Sequence, residues 1–162
     1  MSSPFASGEY VCRLAKPEDS AVIASHRAAM FVDMKSISAN EGEHLRLAVE
    51  PWISELMATG QYVGWLIEYD GTVVAGGGVF LMELGPGPGR YRLGRGAHVA
   101  NIYTEPAHRR RGIARSLMNT ILMWCEANAI DQVTLSASDE GRPLYESLGF
   151  RPTSDMRLEK RR

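Results

Sequence analysis

The stretch that most limits what this chain can become is AHVANIYTEPAHRRRGIARSLMNTILMWCEANA, residues 97–129. Its opening, as far as Thr104, is β-prone and reads as a strand, Glu105-Pro106 turns the chain, and RRRGIA leads into a helix over about residues 111–128. Within that helix Ile113, Leu117, Ile121 and Cys125 fall four apart, with Ala114, Met118 and Leu122 beside them. A stripe of this kind buries itself against a sheet. The helix N-terminus, Arg110 to Ala114, therefore points out beyond the strand end. Free backbone N–H groups and the positive end of the helix dipole gather there and favour an anion. Gly112 allows the backbone to approach a phosphate closely, and small Ala114 keeps the next turn clear. A pyrophosphate fits these features, and a solvated basic helix start fits them equally well.

Around this segment the chain changes period twice. Tyr10 to Leu14 alternates and is β-prone. Pro17 and Asp19 open a helix through about Met34, and the polar run SISANEGE separates it from a second helix over about Glu43 to Thr59. Beyond Gly60, Tyr62–Tyr69 and Thr72–Leu84 are β-prone runs joined by Asp70-Gly71, the strongest short hairpin signal. Gly76-Gly77-Gly78 inside the second run suggests a bulge or the close approach of another backbone. After the central helix come a strand near Gln132 to Ala137, a short helix near Glu140 to Leu148 and a last strand near Met156 to Lys160. Hairpins followed by a strand–helix–strand unit predict a mixed α/β sheet with helices on both faces. The 162 residues, 44% of them hydrophobic, suit one domain over residues 1–162 with a loose leader over residues 1–8.

The net charge of −1 conceals a concentrated basic block. Arginines 90, 92, 95, 109, 110, 111 and 115 stand against one acid, Glu105, between Arg90 and Arg115. That is a local excess of six positive charges, so the rest of the chain carries an excess of seven negative ones. Such a block implies an anionic partner. Nucleic acid is a poor candidate, because RRRG has no aromatic interleaving and the remainder of the chain is acidic. No apolar run approaches the roughly 18 residues of a membrane span, and the N-terminus MSSPFASGEY does not read as a secretory signal. Cys12 and Cys125 are isolated, which predicts reduced, buried thiols in a cytoplasmic protein. No Cys or His pair has zinc-ligand spacing, so no metal is expected.

Arg109-x-x-Gly112-x-Ala114, preceded by Asn101-Ile102-Tyr103-Thr104-x-Pro106, resembles the signature of the GNAT superfamily, the Gcn5-related N-acetyltransferases. Their loop runs Gln or Arg, two residues, Gly, one residue, then Gly or Ala, after a strand. Downstream, Arg142-Pro143-Leu144-Tyr145-Glu146-Ser147-Leu148-Gly149-Phe150 is similar to the family's LYxxLGF segment. Together the two motifs cover about 55 residues, within a cofactor-binding core of residues 96–150. The resemblance implies a mostly antiparallel sheet with splayed central strands. It also implies transfer of an acetyl group from acetyl-CoA to an amine in a ternary complex, without a covalent enzyme intermediate.

Site residues follow from the resemblance position by position. Ile102, Tyr103 and Thr104 hold the place of the strand that offers backbone groups to the pantetheine arm. Arg109, Arg110, Arg111, Gly112, Ile113, Ala114 and Arg115 hold that of the pyrophosphate loop. Tyr145 corresponds to the tyrosine that serves relatives as general acid, and a phenol with a pKa of about 10 is neutral before a thiolate departs. Many relatives carry a Glu base eleven residues before the loop's Gln or Arg, where this chain has His98. A neutral imidazole can take that proton, or can simply line the strand. Asn101 has the opposite parity to His98, so the two share a face only if a bulge intervenes. Ser138 stands where many relatives have a cofactor-contacting Asn. Asp33, Glu41 and Glu43 flank the first two helices, where their charge suits an amine or merely a solvated loop. The acceptor is a small-molecule or peptide amine, and a homodimer is expected from the apolar second helix and the C-terminal strands. A CoA-binding sensor without turnover remains the alternative.

Overall fold

Asp70 and Gly71 both take positive φ, 49° and 74°, the turn geometry that lets two right-twisted strands fold back on each other. They join β2 (Tyr62–Tyr69) to β3 (Thr72–Leu84). The computed structural model that shows this describes residues 10–162. The leader expected over residues 1–8 lies outside the described residues. The remaining elements are β1 (Tyr10–Leu14), α1 (Ser20–Asp33), α2 (Ala39–Ala58), β4 (Gly94–Thr104), α3 (Ile113–Ala127), β5 (Gln132–Leu135) and α4 (Arg142–Ser147).

The strands form one sheet in the order β1-β2-β3-β4-β5. Every pairing is antiparallel except β4 with β5, which α3 connects as a parallel crossover. Each face carries its own core. On one, Ile113, Leu117, Met118, Ile121 and Cys125 of α3 pack on Ala75, Val79, Ala97 and Val99. On the other, Ile23 and Ala24 of α1 and Val49 and Ile53 of α2 pack on Tyr62 and Leu66. Burying each of these larger side chains contributes about 1.5–3 kcal/mol, so both helical layers are held firmly to the sheet.

Two expectations change and one holds. The second helix begins at Ala39, inside the polar run, because Ser38 and Glu41 form a capping box: Ser38 Oγ accepts from the Glu41 N–H, and the Glu41 carboxylate accepts from the Ser38 N–H at 2.7 Å. The triple glycine does mark a bulge, where Gly78 pairs with Ala100 and Gly76 with Tyr103, leaving Asn101 and Ile102 opposite Gly77 alone. A Cβ on Gly77 would overlap the Ile102 side chain, and one on Gly78 would overlap the Tyr62 ring. The strand expected over Met156 to Lys160 does not form, and residues 151–162 hold no regular structure. The segment makes no ladder with the open edge of β5 or with any other strand among the described residues, and a strand without a partner has no hydrogen bonds to hold it. Part of that segment, from Arg151 to Arg157, instead lines a cleft beside β5.

Candidate active site

The site begins where two strands part. β4 and β5 pair only from Gly96–Gln132 to Val99–Leu135. Beyond Val99, β4 runs on to Thr104 with no partner on that side among the described residues, which leaves Ala100 to Thr104 facing a gap. Ile102, Tyr103 and Thr104 lie along it. The Thr104 carbonyl is occupied, since it accepts a 2.8 Å bond from Arg109 Nε.

At the end of the gap lies the N-terminus of α3. Gly112 takes φ 77° as its cap residue, and a Cβ there would touch nothing within 4 Å, so glycine serves backbone conformation at this position. Arg110 also adopts positive φ, 64°. Among the described residues, no protein acceptor meets the N–H groups of Arg110, Arg111, Gly112, Ile113, Ala114 or Arg115. They converge at the positive end of a 15-residue helix, where free donors and dipole favour an anion.

The seven arginines divide into two sets. Arg90 donates to the carbonyls of Leu84, Gly85 and Arg92, Arg92 pairs with Asp131 at 2.6 Å, and Arg95 donates to the Asn128 carbonyl. Arg109 pairs with Asp33 at 2.7 Å and lies over the Tyr103 ring. These four brace loops. Arg111 reaches the Tyr10 hydroxyl at 3.3 Å and Arg115 the Ser147 hydroxyl at 3.0 Å, both uncharged partners, while Arg110 is exposed. Among the described residues, Arg110, Arg111 and Arg115 thus keep their charge uncompensated around the free N–H groups.

The bulge settles the parity question. His98 pairs across from Phe80, whose ring stacks on Trp52 of α2, so His98 faces the α1–α2 side. Asn101 faces that side too. It accepts from Arg27 of α1 at 2.8 Å and donates to the Tyr62 hydroxyl at 3.1 Å. His98 Nδ1 is 2.8 Å from Thr134 Oγ1. With Nδ1 donating to that hydroxyl, Nε2 carries the free lone pair. Burial first, then the charges of Arg157 and Arg27, lower the His98 pKa below its usual 6.5, so the imidazole is neutral at pH 7.

Tyr145 lines the same cleft as His98, with a volume of about 740 Å³. α4 ends in a Schellman motif: the Phe150 N–H bonds the Tyr145 carbonyl at 3.1 Å and the Gly149 N–H bonds that of Glu146 at 3.0 Å, with Gly149 at φ 97°. Phe150 folds back so that its ring meets Tyr145 edge-on at 6.1 Å. The Leu-Gly-Phe run thereby fixes the ring whose hydroxyl has no hydrogen-bond partner among the described residues. Burial raises its pKa above 10, keeping the phenol protonated.

The acetyltransferase (GNAT) domain family matches residues 44–161, well over half of the chain. The chain belongs to the GNAT superfamily. As a member it is an acyltransferase. A GCN5-related N-acetyltransferase from Ralstonia eutropha superposes with a TM-score of 0.84 at 30% identity, covering 93% of this chain and 98% of that one. A predicted acetyltransferase with acetyl-CoA from Clostridium acetobutylicum follows at 0.79 and 24%, covering 93% and 96%. Glucosamine-6-phosphate N-acetyltransferase from Arabidopsis thaliana shares the fold at 0.67 and 16%, covering 93% and 97%. No curated protein matches the chain in sequence.

Within this acetyltransferase the other sequence candidates have structural duties. Ser138 Oγ accepts from the Gly141 N–H at 3.1 Å, shaping the entry to α4, and its hydroxyl proton stays free to donate. Asp33 is taken by Arg109, Glu41 by the start of α2 and Glu43 by Arg46. Sequence reasoning missed Thr134, Tyr62 and Arg27. Only Arg27 carries a signal, since a charge interrupts the stripe of Ile23, Ala24, Ala28 and Phe31. Among the described residues no group of three or more His, Cys, Asp or Glu could hold a metal ion, and no helix is long and apolar enough to cross a membrane.

Proposed function

We propose that this protein transfers an acetyl group from acetyl-CoA directly to an acceptor amine, with both held together in a ternary complex. The observation that carries the reading is the cluster of six free N–H groups ringed by Arg110, Arg111 and Arg115 at the end of the β4–β5 gap. Its size and charge fit a pyrophosphate, and the unpaired edge of Ala100 to Thr104 fits an amide-bearing arm leading away from it. Acetyl-CoA supplies the acyl group as a thioester. Nε2 of His98 accepts the proton that the acceptor amine sheds as it attacks. The Tyr145 hydroxyl holds a proton beside the place of the sulfur. As charge grows on that sulfur in a partly desolvated cleft, the phenol donates to it.

The test is a thiol-release screen of the purified protein with acetyl-CoA against amines, polyamines, amino acids, aminoglycosides and peptides. Acceptor-dependent release is expected for at least one class. Tight CoA binding without release for any of them would leave a CoA-binding sensor instead. The protein acts as a single domain and associates as a homodimer. Supporting surfaces are the free edge of β5, Met156 and Leu158 at 98% and 84% exposure, and Leu47 on α2. Light scattering at micromolar concentration should give twice the chain mass of 17.9 kDa.

A further inference from the structure

Arg27 sits where α1 should be apolar. It is half-buried on the stripe that presents Ile23, Ala24 and Ala28 to the sheet. Its guanidinium lies over the rings of Phe31 and Trp52, at 5.3 and 5.6 Å, and donates from Nη1 to Asn101. Ion pairs among the described residues engage Arg13, Arg46, Arg92, Arg109 and Arg157, and none reaches Arg27. Of its five N–H donors, one is used among the described residues. A half-buried guanidinium without a counter-ion is partly desolvated and uncompensated, and a bound anion relieves that cost.

Its surroundings say what kind of molecule brings the anion. Arg27 bonds the bulge residue beside the acceptor-facing His98, and its charge contributes to lowering the His98 pKa. Trp52, 43% exposed, stacks on Phe80 at 5.3 Å, and Phe80 is the cross-strand neighbour of His98. Guanidinium, aromatic surface and imidazole therefore lie on the same face of the sheet. The charge of Arg27 reaches His98 without a counter-ion, while Asp33, Glu41 and Glu43 are engaged elsewhere and Glu146 and Asp155 line the cleft on the Tyr145 side.

We propose that Arg27 determines acceptor specificity by binding a carboxylate or phosphate on an amine that also has an apolar body. This rests on the transferase reading of the same site. The planar fork of Arg27 matches either anion. Trp52 and Phe80 pack the apolar part. The unpaired charge of Arg27 then favours the neutral amine, so the ammonium loses its proton more readily towards His98.

The probes are L-phenylalanine against phenylalaninamide for the carboxylate, and 1-amino-2-phenylethylphosphonic acid, a phosphonate standing in for the phosphate, against phenethylamine. Each is measured by calorimetric binding, with and without CoA, and by thiol release with acetyl-CoA. An anionic member should bind about 10–100-fold more tightly than its neutral partner, and Arg27→Met should erase that difference. The arm that responds identifies the anion. If Arg27→Met does not fold, Arg27→Lys keeps the charge but loses the fork, and the preference must still fall. Equal binding of neutral and anionic members, or a preference that survives substitution, overturns the proposal. Arg27-dependent binding without thiol release sinks the transferase reading and leaves this assignment standing. Thiol release that ignores acceptor charge does the reverse.

Discussion

The loop that starts α3 and the face beneath α1 and α2 both close on β4, yet they are assembled in opposite ways. The loop site consists of consecutive residues, Arg110 to Arg115, and it works through backbone N–H groups that any short stretch of this shape would expose. The opposite face gathers Arg27, Trp52, Phe80, His98 and Asn101 from four elements, and its defining bond joins residues 74 apart. On the proposed reading the first binds by local geometry and dipole, the second by side chains whose meeting depends on packing. A single substitution should therefore disable the loop cleanly, whereas changes on the other face should shift pH profiles and preferences.

The largest effect is expected where the two sides meet. Tyr145→Phe should lower kcat by about 10²–10⁴-fold, the usual worth of a positioned acid, with little change in CoA affinity. Full activity in that variant would reduce Tyr145 to a packing residue. On the loop side, Gly112→Asp places a carboxylate against the anion and should weaken CoA binding by about 10²-fold or more by calorimetry. Gly112→Asn accepts the same positive φ without the charge, and should lose no more than about tenfold. Equal losses in the two variants would mean that backbone strain, not charge, governs the loop.

On the acceptor side, His98→Gln should cut the neutral-pH rate by about 10²-fold and remove the acidic limb of the pH–rate profile. Because burial and two arginines depress this pKa, the limb should lie below 6.5 in the parent protein. A limb that persists in the variant belongs to another group. The smallest effect is on stability. His26 is buried against Tyr103 with Nε2 unpartnered, and burial lowers its pKa to about 4. Its folded pKa is below the unfolded value, so the native state resists protonation. Stability should be complete above about pH 6.5 and fall by roughly 3 kcal/mol as pH drops towards 4. His26→Leu should flatten urea-midpoint curves across that window, and an unchanged slope would point to other groups.

These experiments also divide along what could be read in advance. The Asp70-Gly71 turn, the strand–loop–helix unit and the stripe of α3 were legible because each is set by neighbours in the chain. The start of α2 was equally local, written in Ser38 and Glu41, and was overlooked within a polar run. The strand expected near Met156 had the right alternation, but a strand exists only when it pairs, and this segment makes no ladder with the open edge of β5 or any other strand among the described residues.

By itself, the sequence determined the order of elements, the glycine-bearing helix start and the Leu-Gly-Phe cap that orients Tyr145, since backbone preference and periodicity act over a few residues. Only the tertiary structure decided which arginines remain free, because Asp33, Asp131 and the Asn128 carbonyl, all remote in sequence, claim three of the seven, and the folded loop around Arg90 claims a fourth. It also placed His98 and Asn101 on one face, through a bulge that exists only in the register of β4 against the glycines of β3. Pairing across a sheet and salt bridging across a fold depend on distances between remote residues, and no local pattern encodes those distances.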